Sequence, residues 1–482
     1  MPVNPQPRII LDGTFLSCAP AVTNDTGQKV FALDRPTLVD DLAISWGRDD
    51  QWTQPDPAVV TFKLWEPYPG TWLTKIVQDT AMRRGVNIVY TEPASAGGLY
   101  PGDKSIFQGF TTNVDVVWSV QRTAAGKTAG WLVTIQAADR SATLGQLNWA
   151  AGNVLPEENM TNRAVKIRNQ GAPAGIREMY FESRFGVAMC KPVATENKSV
   201  LDMVNAMYTS FADQWCYNPE RNTINRIPTG STWGNYDLVI GKPSSSNVLH
   251  LFPPDWQDTT GAQSEIDTRK YYPGSIGACN VTGDIRLAAN TVQSITDLSC
   301  SWFDKPNNKD WKTNLTVKSD GGPPARLSWE SWMNNGTAID PMMQDVKNMV
   351  LGDGRRPMHP QIVWDTRKTG LVDDWCTFNR LTQPAQTIGM VALTGSPFSA
   401  ATGQPPVWHI CGGIIRYVAG YWHFTINLAP TSMPLDPNRK PLTPDTVNKS
   451  ITLDDPNALR FDHSITPFDL YYVSNPKVYP VP

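Results

Sequence analysis

The sequence has little charge. Asp, Glu, Lys and Arg make up 18% of its 482 residues and nearly balance, leaving a formal net charge of −3. No Lys/Arg run exceeds a pair such as Arg83-Arg84 or Arg355-Arg356, which argues against a nucleic-acid-binding stripe. No apolar run approaches the length of a membrane span. Met1 to Arg8 leads straight into Ile9-Ile10-Leu11 and lacks the layout of a secretory signal, so the chain is expected to be made soluble in a cytoplasm. Cysteine is sparse and odd in number: Cys18, Cys190, Cys216, Cys279, Cys300, Cys376 and Cys411, seven in all, with no close pair. Neighbours such as Trp215 and Tyr217 around Cys216 point to buried reduced thiols, not a disulfide framework.

Signals for chemistry are equally scarce. The five histidines, His250, His359, His409, His423 and His463, have no second His or Glu at zinc-motif spacing, so no metal or other cofactor is expected. His423 sits between Trp422 and Phe424 and reads as an outward residue of a strand; Asp462-His463 reads as a surface pair. Gly97-Gly98-Leu99-Tyr100-Pro101-Gly102-Asp103-Lys104-Ser105 misses a phosphate loop, because Asp103 precedes the Lys and Ile106-Phe107 continues as strand. The acid pairs Asp40-Asp41, Glu157-Glu158, Asp373-Asp374 and Asp454-Asp455 are sequence neighbours, which point to opposite faces of a strand. A glycosidase would draw its two acids from distant positions, so a cell-wall hydrolase stays as a minor alternative. The expectation is that the chain is not an enzyme.

Proline (40), glycine (35) and tryptophan (18) are abundant, which fits short strands, many turns and extended connections. The clearest pattern runs from Asp41 to Glu66. Leu42, Ile44 and Trp46 alternate with polar or small residues; so do Val60, Phe62 and Leu64; the Gln54-Pro55-Asp56-Pro57 loop lies between. This spacing predicts a half-buried antiparallel pair. Asp297-Leu298-Ser299-Cys300-Ser301-Trp302 echoes Asp41-Leu42-Ala43-Ile44-Ser45-Trp46, 256 residues later (302 − 46), with Leu315-Thr316-Val317 in the place of Phe62-Lys63-Leu64. A second echo sets Trp131, Val133, Ile135 and Ala137 against Trp422, Phe424, Ile426 and Leu428, 291 residues later (422 − 131). The difference, 35 residues (291 − 256), implies an insertion in the second unit, for which the Gly395 to Pro406 run is one natural place. One helix is expected in each unit: about Trp72 to Arg84 in the first, and in the second a helix capped by Asp340, with Pro341 at its first position and Gly352 at its end.

Between the units, Ser199 and Asp202 form a capping-box pattern opening a helix from Val200 to about Ala212, with Val200, Val204, Met207 and Phe211 on one face joined by Leu201 and Tyr208. A hairpin follows, Trp215-Cys216-Tyr217 turning at Asn218 to Asn222 and returning through Thr223-Ile224. After Thr431 the chain is proline-rich and punctuated by Phe468, Tyr471, Tyr472 and Tyr479, as in an extended arm laid on a neighbour. The expected fold is mainly β with a few helices (α+β): two tube-like β-barrel or sandwich domains, residues 1–147 and 288–430, flank a mixed α+β middle domain, 148–287, and 431–482 is the arm. Trp52, Trp65, Trp72, Trp311, Trp329 and Trp332 are candidate sugar-stacking residues, against the commoner role of Trp in cores and contacts.

The stretch Ile44-Ser45-Trp46-Gly47-Arg48 with Gln54-Pro55-Asp56-Pro57 resembles the N-terminal signature of minor tail proteins from siphophages that infect actinobacteria. Phe107-Gln108-Gly109, Val114-Asp115-Val116 and Trp131 to Asp139 resemble the same family. The likeness covers roughly the first 170 residues, more loosely Val200 to Thr223, and beyond that only the general plan. The resemblance implies a tail-tip (baseplate) hub: a virion structural protein, homotrimeric, whose three chains present six similar domains to a sixfold tail tube. Implied partners are the tail tube, distal tail and other tail-tip proteins, the tape measure protein, DNA passing without sequence-specific binding, and indirectly the host cell surface. Candidate inter-subunit contacts are Gly47, Arg48, Gln54, Pro55, Asp56, Pro57, Tyr471 and Tyr472; for Gly47 and Arg48 the plain alternative is a strand-end turn with a solvated Arg. A distal tail ring and a carbohydrate-binding module for the host wall remain as other readings.

Overall fold

The computed structural model describes residues 4–227 apart from gaps at 17, 21, 40–41, 49–52, 72, 74–82, 93–101, 150–153, 183–186 and 220–221. Beyond these it describes 237–241, 250–252, 295–317, 326–351, 361–366, 378, 382, 390–392 and 407–430. Most of the first expected helix, the Gly395–Pro406 run, Cys279, Cys376 and the proline-rich arm with Tyr471 and Tyr472 lie outside the described residues.

The fold is mainly β with a few helices. In chain order the elements are β1 (Arg8–Leu11), β2 (Thr14–Leu16), β3 (Leu42–Gly47), β4 (Asp56–Pro67), β5 (Gly85–Glu92), β6 (Gly102–Thr123), β7 (Gly126–Asp139) and α1 (Arg140–Leu144). Then come α2 (Met160–Gly171), β8 (Glu178–Glu182), α3 (Val200–Ser210), β9 (Gln214–Asn218), β10 (Thr223–Ile227), β11 (Asp237–Gly241) and β12 (His250–Phe252). The last group is β13 (Asp297–Asp304), β14 (Lys309–Thr316), β15 (Arg326–Glu330), α4 (Gly336–Leu351), β16 (Gln361–Asp365), β17 (Met390–Ala392), β18 (Val407–Val418) and β19 (Tyr421–Pro430).

One large sheet runs in the order β2-β1-β5-β6-β7-β4-β3-β18-β19-β16, with β17 on β18. Period-two alternation sets its inner face. Leu42, Ile44, Val60, Phe62, Leu64, Val133, Ile135, Trp422, Phe424 and Ile426 are buried in one core, while His423 between its two aromatic neighbours is only half-buried. At about 25 cal/mol per Å² of apolar surface, such a continuous face is the main stabilising term of this half.

A second core gathers α2, α3, α4 and β13: Met160, Ile167, Val204, Met207, Trp215, Leu298, Cys300, Trp302 and Met342. α3 begins as its sequence dictates. Ser199 Oγ accepts the Asp202 N–H at 3.0 Å and Asp202 Oδ2 accepts the Ser199 N–H at 2.8 Å. The hairpin β9–β10 follows, pairing Tyr217 with Ile224, and β8 joins it to β11 and β12.

Two sequence expectations need correction. The Asp297–Trp302 echo forms β13, which pairs with β14 and β15 in a separate three-stranded sheet and packs into the second core. Six residues of alternation encode a half-buried strand but not its partner. α4 starts at Gly336, not after Asp340, because Asn335 Oδ1 caps it by accepting the Thr337 N–H at 2.9 Å; Pro341 lies inside it, on an exposed position. α4 also packs on β13.

Candidate functional site

The hairpins β6–β7 and β18–β19 are built alike. Trp118 faces Trp131 in the first, and Tyr417 faces Trp422 in the second. Both pairs meet edge to face, with ring centroids 4.8 and 5.2 Å apart. Each hairpin carries one β-bulge, between Thr111 and Asn113 and between Ile410 and Gly412, so the bulged residues Thr112 and Cys411 each precede the aromatic by six positions. A bulge is a specific local defect, and its recurrence in register points to a repeated motif.

The flanking strands repeat too. β4 sets Thr61 opposite Gln136, and β16 sets Gln361 opposite Asn427. β5 sets Val86 opposite Gly109, and β17 sets Val391 opposite Trp408. Among the described residues between the two outer strands of each set is a helical, fully buried residue, Leu73 in the first and Phe378 in the second. The offsets run from 291 (422 − 131) to 305 (378 − 73), so no 35-residue insertion is required. The strands that correspond to β4 to β7 are therefore β16 to β19, with Phe378 in the place of Leu73.

The two copies meet where β3 pairs with β18. Gly47 faces Gly412 and Leu42 faces Tyr417. Arg48 N–H donates to the Cys411 carbonyl at 3.1 Å, and Asn427 Nδ2 donates to the Arg48 carbonyl at 3.3 Å. Gly47 has φ +73°, and a Cβ there would fall on the Cys411 carbonyl oxygen and 2.5 Å from Gly412 Cα. A Cβ on Gly412 would lie 2.5 Å from the Arg48 carbonyl oxygen. Glycine on both sides lets two bulged backbones close. The cores merge across the seam: Phe378 packs on Tyr90, Trp422 and Phe424, and Trp422 Nε1 donates to the Pro5 carbonyl at 2.6 Å.

The sequence-derived candidates divide. Gly47 and Arg48 lie in this seam within one chain, and Arg48 is buried, not solvated. Gln54 Nε2 donates to the Asp213 carbonyl at 2.9 Å and to Thr209 Oγ1 at 3.2 Å, tying its loop to the end of α3; Pro55 is buried, Asp56 exposed and Pro57 half-buried. Of the tryptophans, Trp65 and Trp332 are buried, Trp329 is half-buried and Trp311 is exposed beneath the Lys309 ammonium, 4.3 Å from the ring centroid. Glu157 and Glu158 point apart, to Lys305 at 2.5 Å and Lys166 at 2.6 Å. Gly102–Ser105 already belongs to β6, where Asp103 takes Arg8 at 2.6 Å.

Two features were missed. Asp139 ends β7 and caps α1, accepting from Ser141 N at 2.9 Å and Ala58 N at 2.9 Å. Burial pushes its carboxyl up to about 6 against the pull of those bonds. It borders a small cavity shared with Trp46, Tyr217 and Ile415, where the large sheet meets the β9–β10 hairpin. Tyr68 and Trp118 form an exposed edge-to-face pair, 5.8 Å apart, beside the β6–β7 hairpin. Among the described residues no group of three or more His, Cys, Asp or Glu is placed to hold a metal ion, and no helix is long and apolar enough to cross a membrane.

No protein-family model matches the chain, and no curated protein does. Solved structures that resemble it include phage tail proteins and a component of the type VI secretion system from E. coli. The 43 kDa tail protein of prophage MuSo2 from Shewanella oneidensis is 9% identical with a TM-score of 0.44, covering 89% of this chain and 100% of that one. The tail protein from Neisseria meningitidis MC58 is 9% identical with a TM-score of 0.44, covering 89% and 99%. The prophage tail protein gp18 from Listeria monocytogenes EGD-e is 9% identical with a TM-score of 0.40, covering 87% and 94%. At these values the likeness carries no argument about what this chain does.

Proposed function

We propose that this chain is a structural subunit of a bacteriophage tail tip: a hub that continues the tail tube, lines the DNA channel and connects to host-binding components. The observation that carries the proposal is the repeated motif, β4 to β7 and β16 to β19, joined edge to edge in one sheet by β3 and β18. A chain with two equivalent sheets in series offers a ring twice as many repeats as it has chains. Three chains then match a sixfold tube. The siphophage-like residues Ile44 to Arg48 and Gln54 to Pro57 lie at or beside this join, which agrees with the reading. Buried carboxylates are spent on structure: Asp139 caps a helix, and Glu66 Oε2 accepts the Leu73 N–H at 2.9 Å. The proposed role is structural.

On this reading Asp56, the half-buried Pro57 and the arm residues Tyr471 and Tyr472 contact a neighbouring subunit, while Gly47, Arg48, Gln54 and Pro55 hold the contacting surface in shape. The partners are further tail-tip proteins, the tube and the tape measure protein. Gold-labelled antibody against the chain, applied to virions of the phage that encodes it, is expected to mark the tip beyond the tube. Label along the tube or its absence from virions would defeat the proposal; a ring of six chains at the tube end would assign a distal tail ring instead.

A further inference from the structure

The two aromatic pairs of the repeat differ in what lies over them. In the second copy Tyr417 and Trp422 are 4% and 0% exposed. Asn4 and Pro5, which precede β1, are tied to that pair's hairpin. Trp422 Nε1 donates to the Pro5 carbonyl at 2.6 Å, and Asn4 Nδ2 donates to the Gly420 carbonyl at 2.8 Å. Thr366 Oγ1, which also receives the Trp422 N–H at 2.9 Å, donates to Asn4 Oδ1 at 2.9 Å. A proline-bearing end of the chain thus covers one aromatic pair. In the first copy Trp118 is 49% exposed, and Tyr68 beside it 65%.

Register extends this open face to the hairpin tip. Trp118 lies opposite Trp131, Val120 opposite Ala129 and Arg122 opposite Lys127. Side chains two apart along a strand share a face, so these six stand on one side of the sheet. Glu66 lies opposite Trp131, and Tyr68 N–H donates to the Ala129 carbonyl at 3.0 Å, so Tyr68 joins them. Val120 is exposed, and so are Arg122 and Lys127. The face is an apolar, aromatic platform with two cations at its outer rim.

The other end of the chain has the matching chemistry. Residues 462–476 carry Phe468, Tyr471 and Tyr472, the prolines Pro467 and Pro476, the acids Asp462 and Asp469, and no Lys or Arg. Proline-bearing segments dock on exposed aromatic rings at low entropic cost. Asp462 follows Pro430 by 32 residues (462 − 430), a reach of about 100 Å when extended. β19 and β6 are five strand spacings apart in the sheet, about 24 Å. The tether spans that distance and holds the segment at a high local concentration. We infer that residues 462–476 seat on the Tyr68–Trp118–Val120 face of their own chain, with their acids toward Arg122 and Lys127. The contact covers an apolar surface that the free chain otherwise exposes. On the tail-tip reading, assembly transfers the same residues to a neighbouring subunit; the inference concerns the free chain and stands or falls without that reading.

The test uses the full chain in dilute solution. A photo-crosslinking benzoylphenylalanine in place of the exposed Tyr68, in a mixture of light and heavy isotope-labelled chains, should give crosslinks to residues 462–476 with a single label. In parallel, chymotrypsin cleavage after Phe468, Tyr471 and Tyr472 is followed by mass spectrometry. Tyr68→Ser should speed that cleavage by about tenfold, the loss of one aromatic contact. Lys127→Glu should speed it by about threefold, and Asp469→Lys in that background should restore the wild-type rate. Lys127 is the better probe of the rim because Arg122 also donates to Gln28 Oε1. The crosslink reads the contact directly, so it holds if a variant fails to fold. Crosslinks to other segments or none, mixed-label crosslinks, or equal cleavage rates in the folded variants and wild type would each overturn the inference.

Discussion

Placing a methyl group at Gly47 tests the seam between the two copies. Two costs add. Gly47 has φ +73°, where an L-residue with a Cβ costs about 1–2 kcal/mol. The Cβ would also meet Gly412 Cα at 2.5 Å and the Cys411 carbonyl oxygen more closely still. Ordinary contact needs about 1 Å more, so β3 and β18 must part locally. That disturbs the Arg48 N–H to Cys411 bond of 3.1 Å and its neighbour from Asn427, at roughly 1 kcal/mol each. Gly47→Ala should therefore destabilise by about 3–4 kcal/mol. Gly412 has no positive φ, so Gly412→Ala carries only the second cost, about 2 kcal/mol. Urea unfolding gives both values, and hydrogen exchange should show faster exchange at Gly412 to Tyr417 in both variants. A Gly47→Ala protein within about 1 kcal/mol of wild type, or equal losses in the two variants, would refute the steric account of the seam.

Asp139 makes stability depend on pH. Its folded carboxyl is raised to about 6, while the unfolded group ionises near 4, so the folded state holds the proton longer. Its contribution is complete below about pH 4 and is lost as pH rises through 6; relative to Asp139→Asn, the wild type should lose up to about 3 kcal/mol across that window. A flat difference from pH 4 to 7 in denaturant melts would contradict this. Arg163, fully buried, donates from Nη2 to the Pro156 and Lys191 carbonyls, each at 2.8 Å; Arg163→Met should cost about 2–4 kcal/mol in the same assay by stranding both acceptors, and a neutral result would show that they find other donors. Burial pushes Cys190, Cys216 and Cys300 up to about 12, so iodoacetamide at pH 8 should modify them only after unfolding; rapid native labelling by peptide mapping would count against the buried-thiol account.

Local patterns were legible in the sequence; partnerships were not. The Leu42–Trp46 and Val60–Leu64 alternation, the Ser199–Asp202 cap and the Trp131 and Trp422 strands read correctly because each is written in adjacent residues. The Asp297–Trp302 echo misled because alternation says which face is buried and nothing about which strand lies alongside. The true counterpart of Leu73, Phe378, shares no surrounding motif with it, only a place in the core. Gly47 and Arg48 stood out as unusual, yet only the facing Gly412 explains them, some 365 residues away (412 − 47). Trp118 was invisible as a candidate because exposure depends on the absence of a neighbour.

The central claim is that two equivalent sheets from each chain are built in series into a ring. Electron cryo-microscopy of the assembled protein tests it most directly. The account predicts a ring with two repeats per chain and a β3–β18 join within each chain. A ring with one repeat per chain, or particles in which β18 does not lie against β3, would contradict it.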